Sequence, residues 1–291
     1  MTNTSQSDFT IDTGQLAEQL EDTNFRIFDV TVLMQPRDGG GYEVRSGFPE
    51  YQEAHIPGSA FLDLKSDLSA PDPNLLFMLP SAVQFANAVG KAGIGDGVRV
   101  VLYNRGPSWW ATRVWFMLEH FGFCSARVLD GGFDKWQSEN RPVEAGVNEY
   151  PPAHFSARDG QCNFVDKDEM LARHAADGVV TLNALGAAQH RGEVNPYGRP
   201  GRIPGSGHAP AASFLNPDGT FQRGESLNAL CQAAGVDGAD EVIAYCGGGI
   251  SATTTAFALR LAGKQGVKIY DGSMSEWARD PSLPLAVGDD D

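Results

Sequence analysis

The chain has 291 residues, about twice the length of a typical single domain, so two domains are expected. Apolar residues make up 42% of it and charged residues 20%, a composition that excludes a disordered chain or a coiled coil. The formal net charge of −15 disfavours nucleic acids and membranes as partners, because phosphate backbones and lipid headgroups are also negative. An anionic substrate would therefore need a local pocket of positive potential.

No apolar run approaches the roughly 18 residues of a membrane span, and the polar first ten residues lack the features of a secretion signal. The cysteines have neither CxxC spacing nor the spacing of metal ligands, so no metal site is predicted. We expect a cytoplasmic, reducing setting, in which a functional cysteine acts as a thiol. The four cysteines are Cys124, Cys162, Cys231 and Cys246.

Each half of the chain alternates short β-branched runs with helical stretches. In the N-terminal half, buried strands are predicted at 25–30, 98–103 and 126–130, and a helix at 80–93. In the C-terminal half, strands are predicted at 179–185, 241–245 and 267–271, and a helix at 251–263. This alternation favours mainly parallel sheets that are covered on both faces by helices.

Three landmarks of the first half recur in the second half, in the same order and at a nearly constant offset, which predicts a tandem duplication. They are an Ile-Pro-Gly-Ser turn (56–59 and 203–206), a strand end (Asn104 and Cys246) and an Asp-Gly segment that ends in tryptophan (Trp136 and Trp277). The predicted domains are residues 8–143 and 161–286. The aperiodic stretch 144–160 is the predicted linker.

The segment Tyr245–Ser251 is the strongest candidate for a reactive site in the sequence. It lies between a predicted strand and a helix, where ligands bind in α/β sheets. Its three glycines let backbone N–H groups turn towards the Cys246 sulfur, and the helix N-terminus adds positive potential, so an anionic thiolate is favoured. Spacing alone leaves open a phosphate-binding turn or a tight connection with an incidental cysteine. Cys124, Cys162 and Cys231 are interpreted as structural, buried thiols.

The chain resembles the two-domain sulfurtransferases of the rhodanese family over about residues 10–285. His55–Ser59 resembles the family's N-terminal signature, and Tyr270–Trp277 resembles its C-terminal signature. The resemblance implies an α/β fold of two tandem rhodanese-like domains, each a mainly parallel sheet flanked by helices. It also implies that the C-terminal copy carries the catalytic cysteine, Cys246, and that the N-terminal copy is silent, with Asn104 at the equivalent corner.

The implied reaction moves a sulfane sulfur from a small anionic donor to a thiol or cyanide through a persulfide on Cys246. The resemblance implies no cofactor, and it implies thioredoxin or a small thiol as the acceptor. The six-residue loop is typical of sulfur transfer, whereas related phosphatases and arsenate reductases use one residue more. The predicted substrate-binding loop residues are Gly247, Gly248, Gly249, Ile250 and Ser251, whose amides would hold the thiolate and then the persulfide.

The uncharged loop resembles that of the family's mercaptopyruvate enzymes, so mercaptopyruvate is the first predicted donor and thiosulfate the alternative. Arg191 and Arg199 lie at about the spacing of two arginines that bind the donor carboxylate in those enzymes, and an arginine fork suits a carboxylate. The alternative is that both are solvated loop arginines. A non-catalytic binding module with the same fold is the further alternative for the whole chain.

The chain departs from the mercaptopyruvate pattern at several positions. Arg202 stands where the family usually has His. Phe77, Lys65 and Gly248 replace the His, Asp and Ser of a relay proposed for those enzymes. Lys65 is therefore a candidate cation for thiosulfate across the domain interface, with a solvated surface lysine as the alternative.

Two further groups are interpreted as structural. A tryptophan-rich helix is predicted to pack between the domains, with Trp109, Trp110, Arg113 and Trp115. Asp130 and Trp136 recur as Asp271 and Trp277, including in the copy without a cysteine, which favours a structural role.

Overall fold

The computed structural model describes residues 9–36, 42–158 and 163–288. In the N-terminal domain the strands are β1 (Thr10–Ile11), β2 (Phe25–Asp29), β3 (Val32–Pro36), β4 (Tyr42–Ser46), β5 (Ala60–Phe61), β6 (Arg99–Tyr103) and β7 (Ala126–Leu129). The helices of this domain are α1 (Thr13–Ala17), α2 (Phe48–Glu53), α3 (Ala82–Lys91), α4 (Trp109–His120) and α5 (Gly132–Ser138).

The C-terminal domain repeats this plan. Its strands are β8 (Phe164–Val165), β9 (Val179–Asn183), β10 (Gly207–His208), β11 (Glu241–Tyr245) and β12 (Val267–Tyr270). Its helices are α6 (Lys167–Arg173), α7 (Ala187–His190), α8 (Gly224–Ala233), α9 (Ser251–Leu261) and α10 (Ser273–Trp277), with a short 3-10 helix at Ala211–Phe214.

The two five-stranded sheets have the same strand order. The first runs β1-β7-β6-β2-β5 and the second β8-β12-β11-β9-β10, with parallel pairing throughout. The predicted α/β fold with two parallel sheets flanked by helices is therefore confirmed. The N-terminal domain adds one feature, an antiparallel hairpin of β3 and β4.

The predicted elements end where local chemistry stops them. Strand β11 coincides with the predicted 241–245. Helix α3 is shorter than the predicted 80–93, because the Ser81 side chain accepts from the Gln84 amide and caps the helix N-terminus, and Gly93 turns the chain at φ +94° after it. Strand β9 ends two residues early, because the Asn183 Oδ1 accepts from the Leu185 amide at 2.9 Å and turns the chain.

The domains pack through α4 and α9, and one buried apolar cluster extends through both domains. At the crossing, the Thr112 hydroxyl lies 2.7 Å from the Thr253 hydroxyl. The Trp115 ring meets Phe257 edge-to-face with ring centroids 4.9 Å apart. This confirms that the tryptophan-rich helix packs between the domains.

The predicted linker packs on the N-terminal domain. Within residues 144–158 the only regular pairing is a bridge between Glu144 and His55. The Ala153 amide donates to the Gly90 carbonyl at 2.8 Å. Residues 159–162, including Cys162, lie outside the described residues, and the boundaries at 8–143, 144–160 and 161–286 stay a prediction. No helix within the described ranges has the length and apolar character needed to cross a bilayer.

Candidate active site

Cys246 lies at the carboxyl end of β11, and its loop leads directly into α9. The residue is only 2% exposed. The Cys246 carbonyl accepts from the Met274 amide at 3.0 Å, and the Gly247 carbonyl accepts from the Ser275 amide at 2.8 Å. These bonds turn the carbonyls of the loop towards α10.

Three backbone N–H groups of the loop, those of Gly247, Gly248 and Ile250, donate no hydrogen bond to any described residue; they are called the loop amides below. Within the part of the chain that the structure describes, no group accepts a hydrogen bond from them. They adjoin the first turn of α9, where the amides of Ser251 and Ala252 have no acceptor among the described residues and the Thr253 amide donates to the Ile250 carbonyl at 2.9 Å. The surroundings of the sulfur are therefore rich in unpaired donors and suited to an anion.

Ser273 accepts from the other two backbone amides of the segment, those of Cys246 and Gly249. Its hydroxyl oxygen accepts from the amides of Cys246 and Gly249, each at 3.1 Å, and donates to the Tyr270 carbonyl at 2.8 Å. The backbone of Ser273 is in the left-handed region, with φ +50°. A non-glycine residue rarely adopts that conformation, and here it brings the hydroxyl under the loop.

Arg113 holds the loop from the other domain. It is fully buried on α4 and donates to the Gly249 carbonyl at 3.3 Å and to the Phe77 carbonyl at 2.6 Å. Its Nη2 also lies 2.7 Å from Oδ1 of Asp271, without the alignment of a hydrogen bond, while Oδ2 of Asp271 accepts from the Leu79 amide. The N-terminal domain, which has Asn104 in place of the loop cysteine, therefore helps to shape the loop around Cys246.

The three glycines of the loop are constrained differently. A Cβ on Gly249 would lie 2.5 Å from the Asp271 carbonyl oxygen, and its φ is +69°. A Cβ on Gly247 would lie 2.1 Å from the Tyr197 hydroxyl. At Gly248 the nearest atom would be 3.8 Å away, so this position alone has room for a side chain.

A cavity of about 450 Å³ opens beside Cys246, between the two domains. The N-terminal domain contributes the β3–β4 hairpin, the segment at 74–77 and the start of α4. The C-terminal domain contributes the cysteine loop, the segment around Tyr197 and the end of α10. Most of the lining side chains are apolar or aromatic, as in many small-molecule sites.

Arg279 is the only permanently charged side chain among the described residues that line this interdomain cavity. It forms no ion pair with any described residue, although Asp72 lies within range of its charge. In a chain with a net charge of −15, this is the local positive potential that an anionic substrate needs.

Tyr197 places its hydroxyl against Gly247, next to Cys246. Burial raises the pKa of the Tyr197 phenol, and the nearby charges of Cys246 and Tyr42 raise it further. The phenol therefore stays protonated at neutral pH, so its proton is free to be donated to a ligand.

The predicted loop residues divide around the cavity. Gly247, Gly248, Ile250 and Ser251 line it with Cys246, whereas Gly249 faces Arg113 and Asp271.

The two arginines predicted to bind the donor lie elsewhere. Arg191 pairs with Glu193 at 2.7 Å, and Arg199 donates to backbone carbonyls at the end of α10, including that of Ala278 at 2.9 Å. Neither is among the described residues that line the cavity, so their role in donor binding stays a prediction.

Lys65 and Arg202, the two basic residues at positions where the chain departs from the family pattern, also bond to backbone carbonyls of the protein. The Lys65 ammonium donates to the Val44 carbonyl at 3.0 Å, and Lys65 is not among the described residues that line the cavity. Arg202 is buried and donates to the Gly288 carbonyl at 2.6 Å.

Arg279, Tyr197 and Ser273 were not predicted as site residues. Ser273 belongs to the C-terminal signature, whose helix α10 bonds to the cysteine loop, and Arg279 lies two residues after that signature. Tyr197 lies between the two arginines that the spacing selected. Position in sequence is the one signal that could have found them.

Cys124 is exposed, so the expectation that it is buried is wrong; it lies in the turn between α4 and β7. Cys231 is buried on α8, and burial raises the pKa of its thiol. Within the described ranges, no group of three or more His, Cys, Asp or Glu side chains is arranged to hold a metal ion.

The equivalent corner of the N-terminal domain is closed. Asn104 occupies the position of Cys246, and its side-chain amide donates to the carbonyls of Arg105 (2.7 Å) and Pro107 (2.8 Å). The Arg105 guanidinium donates to the carbonyls of Glu50 and Ala54 and lies over the Phe133 ring, 4.0 Å from its centroid. The side chains of Asn104 and Arg105 therefore fill the space that an anion would need at this corner.

Comparison with known proteins agrees with this architecture. The model of the rhodanese-like domain matches residues 12–139 and 187–280. A probable 3-mercaptopyruvate sulfurtransferase of Pseudomonas aeruginosa is 33% identical over 284 residues, which cover 94% of this chain and 96% of that protein. The thiosulfate sulfurtransferase of Rattus norvegicus is 34% identical over 81% of each chain.

Among solved structures, SseA from Escherichia coli, a 3-mercaptopyruvate sulfotransferase with the rhodanese fold, superposes with a TM-score of 0.82 at 28% identity. The match covers 92% of this chain and 99% of SseA. The chain belongs to the rhodanese family and contains two rhodanese domains. Within that family it is a sulfurtransferase of the rhodanese and 3-mercaptopyruvate sulfurtransferase type.

Proposed function

We propose that the protein transfers a sulfane sulfur through a persulfide on Cys246, with 3-mercaptopyruvate as the first donor. The observation that carries the proposal is the Cys246 thiol, which lies beside three unused loop amides and lines the interdomain cavity. The loop amides and the N-terminus of α9 stabilise the thiolate before transfer and the persulfide anion after it.

The first half-reaction forms the persulfide. The Cys246 thiolate attacks the sulfur of mercaptopyruvate, the carbon–sulfur bond breaks, and its electron pair leaves with the carbon as the enolate of pyruvate. Protonation of that carbon gives pyruvate. In the second half-reaction, cyanide or a thiolate attacks the outer sulfur and releases the Cys246 thiolate.

We assign the donor carboxylate to Arg279. It is the permanent cation among the described cavity-lining residues, and a guanidinium suits a carboxylate. Arg191 and Arg199 stay alternative ligands. A direct comparison is Arg279→Gln against Arg191→Gln: we expect only the first to raise the KM for mercaptopyruvate, by about tenfold, the loss of roughly one charged hydrogen bond. A higher KM in Arg191→Gln alone would instead assign the donor carboxylate to Arg191.

The choice of donor is supported by the uncharged loop, which offers no cation next to Cys246 for a dianion. Several relatives are named 3-mercaptopyruvate sulfurtransferases. Thiosulfate is the alternative donor, because a relative of similar identity is named thiosulfate sulfurtransferase.

The proposal is tested by intact-mass spectrometry after incubation with mercaptopyruvate or with thiosulfate. Wild type should gain the mass of one sulfur atom, more rapidly from mercaptopyruvate, and Cys246→Ser should gain none. Faster loading from thiosulfate would reverse the donor order. Absence of an adduct from both donors would refute the enzyme proposal and favour the non-catalytic binding module.

The acceptor must reach a sulfur that is almost fully buried. A small thiol fits the interdomain cavity directly, whereas thioredoxin would have to insert the segment that carries its reactive cysteine. Thioredoxin as acceptor and a cytoplasmic location stay predictions from the family resemblance and from the composition.

A further inference from the structure

We propose that Tyr197 is a catalytic residue, which donates a proton to the departing pyruvate enolate. This inference rests on the proposed function. It names the group that completes the first half-reaction when mercaptopyruvate is the donor.

The chemistry requires a proton donor for this donor and not for thiosulfate. The carbon–sulfur bond of mercaptopyruvate breaks to a strongly basic enolate, which must be protonated as it leaves. Thiosulfate instead releases sulfite, a stable anion that needs no proton. A buried proton donor beside the sulfur therefore serves one donor selectively.

Few of the described residues around the cavity could donate the proton to the enolate. Phe77 and Gly248 carry no acidic proton, and the Lys65 ammonium is bound to the Val44 carbonyl. The hydroxyls that line the described cavity belong to Tyr42, Tyr197, Ser251 and Ser275. Phenols are much stronger acids than serine hydroxyls, which leaves the two tyrosines.

Position selects Tyr197 over Tyr42. The Tyr197 hydroxyl lies against Gly247, the residue after Cys246, where a Cβ would approach it to 2.1 Å. Tyr42 lies on the β3–β4 hairpin of the other domain. Within the described chain the Tyr197 hydroxyl has no hydrogen-bond partner, so its proton is available to a ligand.

The raised pKa of Tyr197 agrees with this role, since it keeps the phenol protonated until a stronger base forms. The proton balance then closes without another reactant. Tyr197 gives its proton to the enolate carbon, which yields pyruvate. The resulting phenolate takes the proton of the Cys246–S–SH group, so the loop amides hold a persulfide anion and Tyr197 is restored.

The test compares Tyr197→Phe with Tyr42→Phe as the matched control, each checked by thermal melting. The rate of persulfide formation is followed by rapid quench and intact-mass spectrometry. With mercaptopyruvate, Tyr197→Phe should slow the formation of the persulfide by about 100-fold, while Tyr42→Phe changes it by less than about threefold. Discharge of a persulfide preloaded from polysulfide, with cyanide as acceptor, should proceed at the wild-type rate in both variants.

Three results would overturn the inference. They are an unchanged mercaptopyruvate rate in Tyr197→Phe, an equal loss in Tyr42→Phe, and an equal slowing of the cyanide discharge, which would indicate a structural role. These outcomes differ from failure of the proposed function, in which wild type itself would form no persulfide.

Discussion

Arg113 offers a direct test of how the N-terminal domain supports the cysteine loop. Replacement by methionine removes the guanidinium and retains an apolar side chain of similar length. Asp271, only 8% exposed at its side chain, would lose the cation 2.7 Å away and keep a single hydrogen bond, from the Leu79 amide. Breaking a buried ion pair from one side costs about 3–5 kcal/mol, because the remaining charge is desolvated and unpaired.

Urea unfolding followed by tryptophan fluorescence measures this loss for Arg113→Met, for Asp271→Asn and for the double variant. If the ion pair causes most of the destabilisation, the two single losses in unfolding free energy should not add. The double variant should then be about 1–3 kcal/mol more stable than their sum predicts. The Tm of Arg113→Met should fall by roughly 10 °C.

The same substitution has a functional consequence, since the Gly249 carbonyl loses its donor. Persulfide formation at Cys246 should therefore slow in Arg113→Met, even at temperatures where the variant is folded. A loss below about 1 kcal/mol in Arg113→Met, or simple additivity in the double variant, would refute the reasoning.

Three further outcomes follow from the structure. Gly249→Ala should destabilise the protein by about 2–3 kcal/mol in thermal unfolding, because of its positive φ and the contact with the Asp271 carbonyl; a neutral effect would contradict the loop geometry. Gly248→Ser should stay within about 0.5 kcal/mol of wild type, since the nearest atom is 3.8 Å from its Cβ. Burial raises the pKa of Asp29 from 3.8 to about 6, so its contribution to stability is full below pH 3.8 and is lost as the pH rises through 6. Asp29→Asn should remove a pH dependence of about 3 kcal/mol from the unfolding free energy over that range, and an unchanged profile would disprove the assignment.

The fold was predictable from the sequence because its signals are local. Each central strand is a short run rich in buried β-branched or aromatic residues, and the 241–245 strand has the predicted bounds. The repeated landmarks indicated the duplication because they do not depend on the path of the chain between them. The position of Cys246 was predictable for the same reason, since a strand, a glycine loop and a helix follow one another directly, whereas its catalytic role stays a prediction.

The rest of the site depends on side-chain directions and on contacts between distant segments. The spacing of Arg191 and Arg199 predicted them as donor ligands, whereas in the structure Arg191 pairs with Glu193 and Arg199 donates to carbonyls at the end of α10. Arg279 and Tyr197 meet at the cavity because two segments of one domain converge on a wall supplied by the other. The periodicity of the sequence does not show which distant segments come together, so these two residues could not be predicted from it.

The closed corner at Asn104 has a consequence for how the two copies have diverged. The asparagine satisfies carbonyls of its own turn, and the neighbouring Arg105 bonds to the end of α2 and covers Phe133. Asn104→Cys alone would remove the two bonds that the asparagine donates, leave those of Arg105 in place, and create no row of free amides beside the new sulfur. A reactive cysteine at this corner would therefore need several substitutions together, since both Asn104 and Arg105 occupy it with their own contacts.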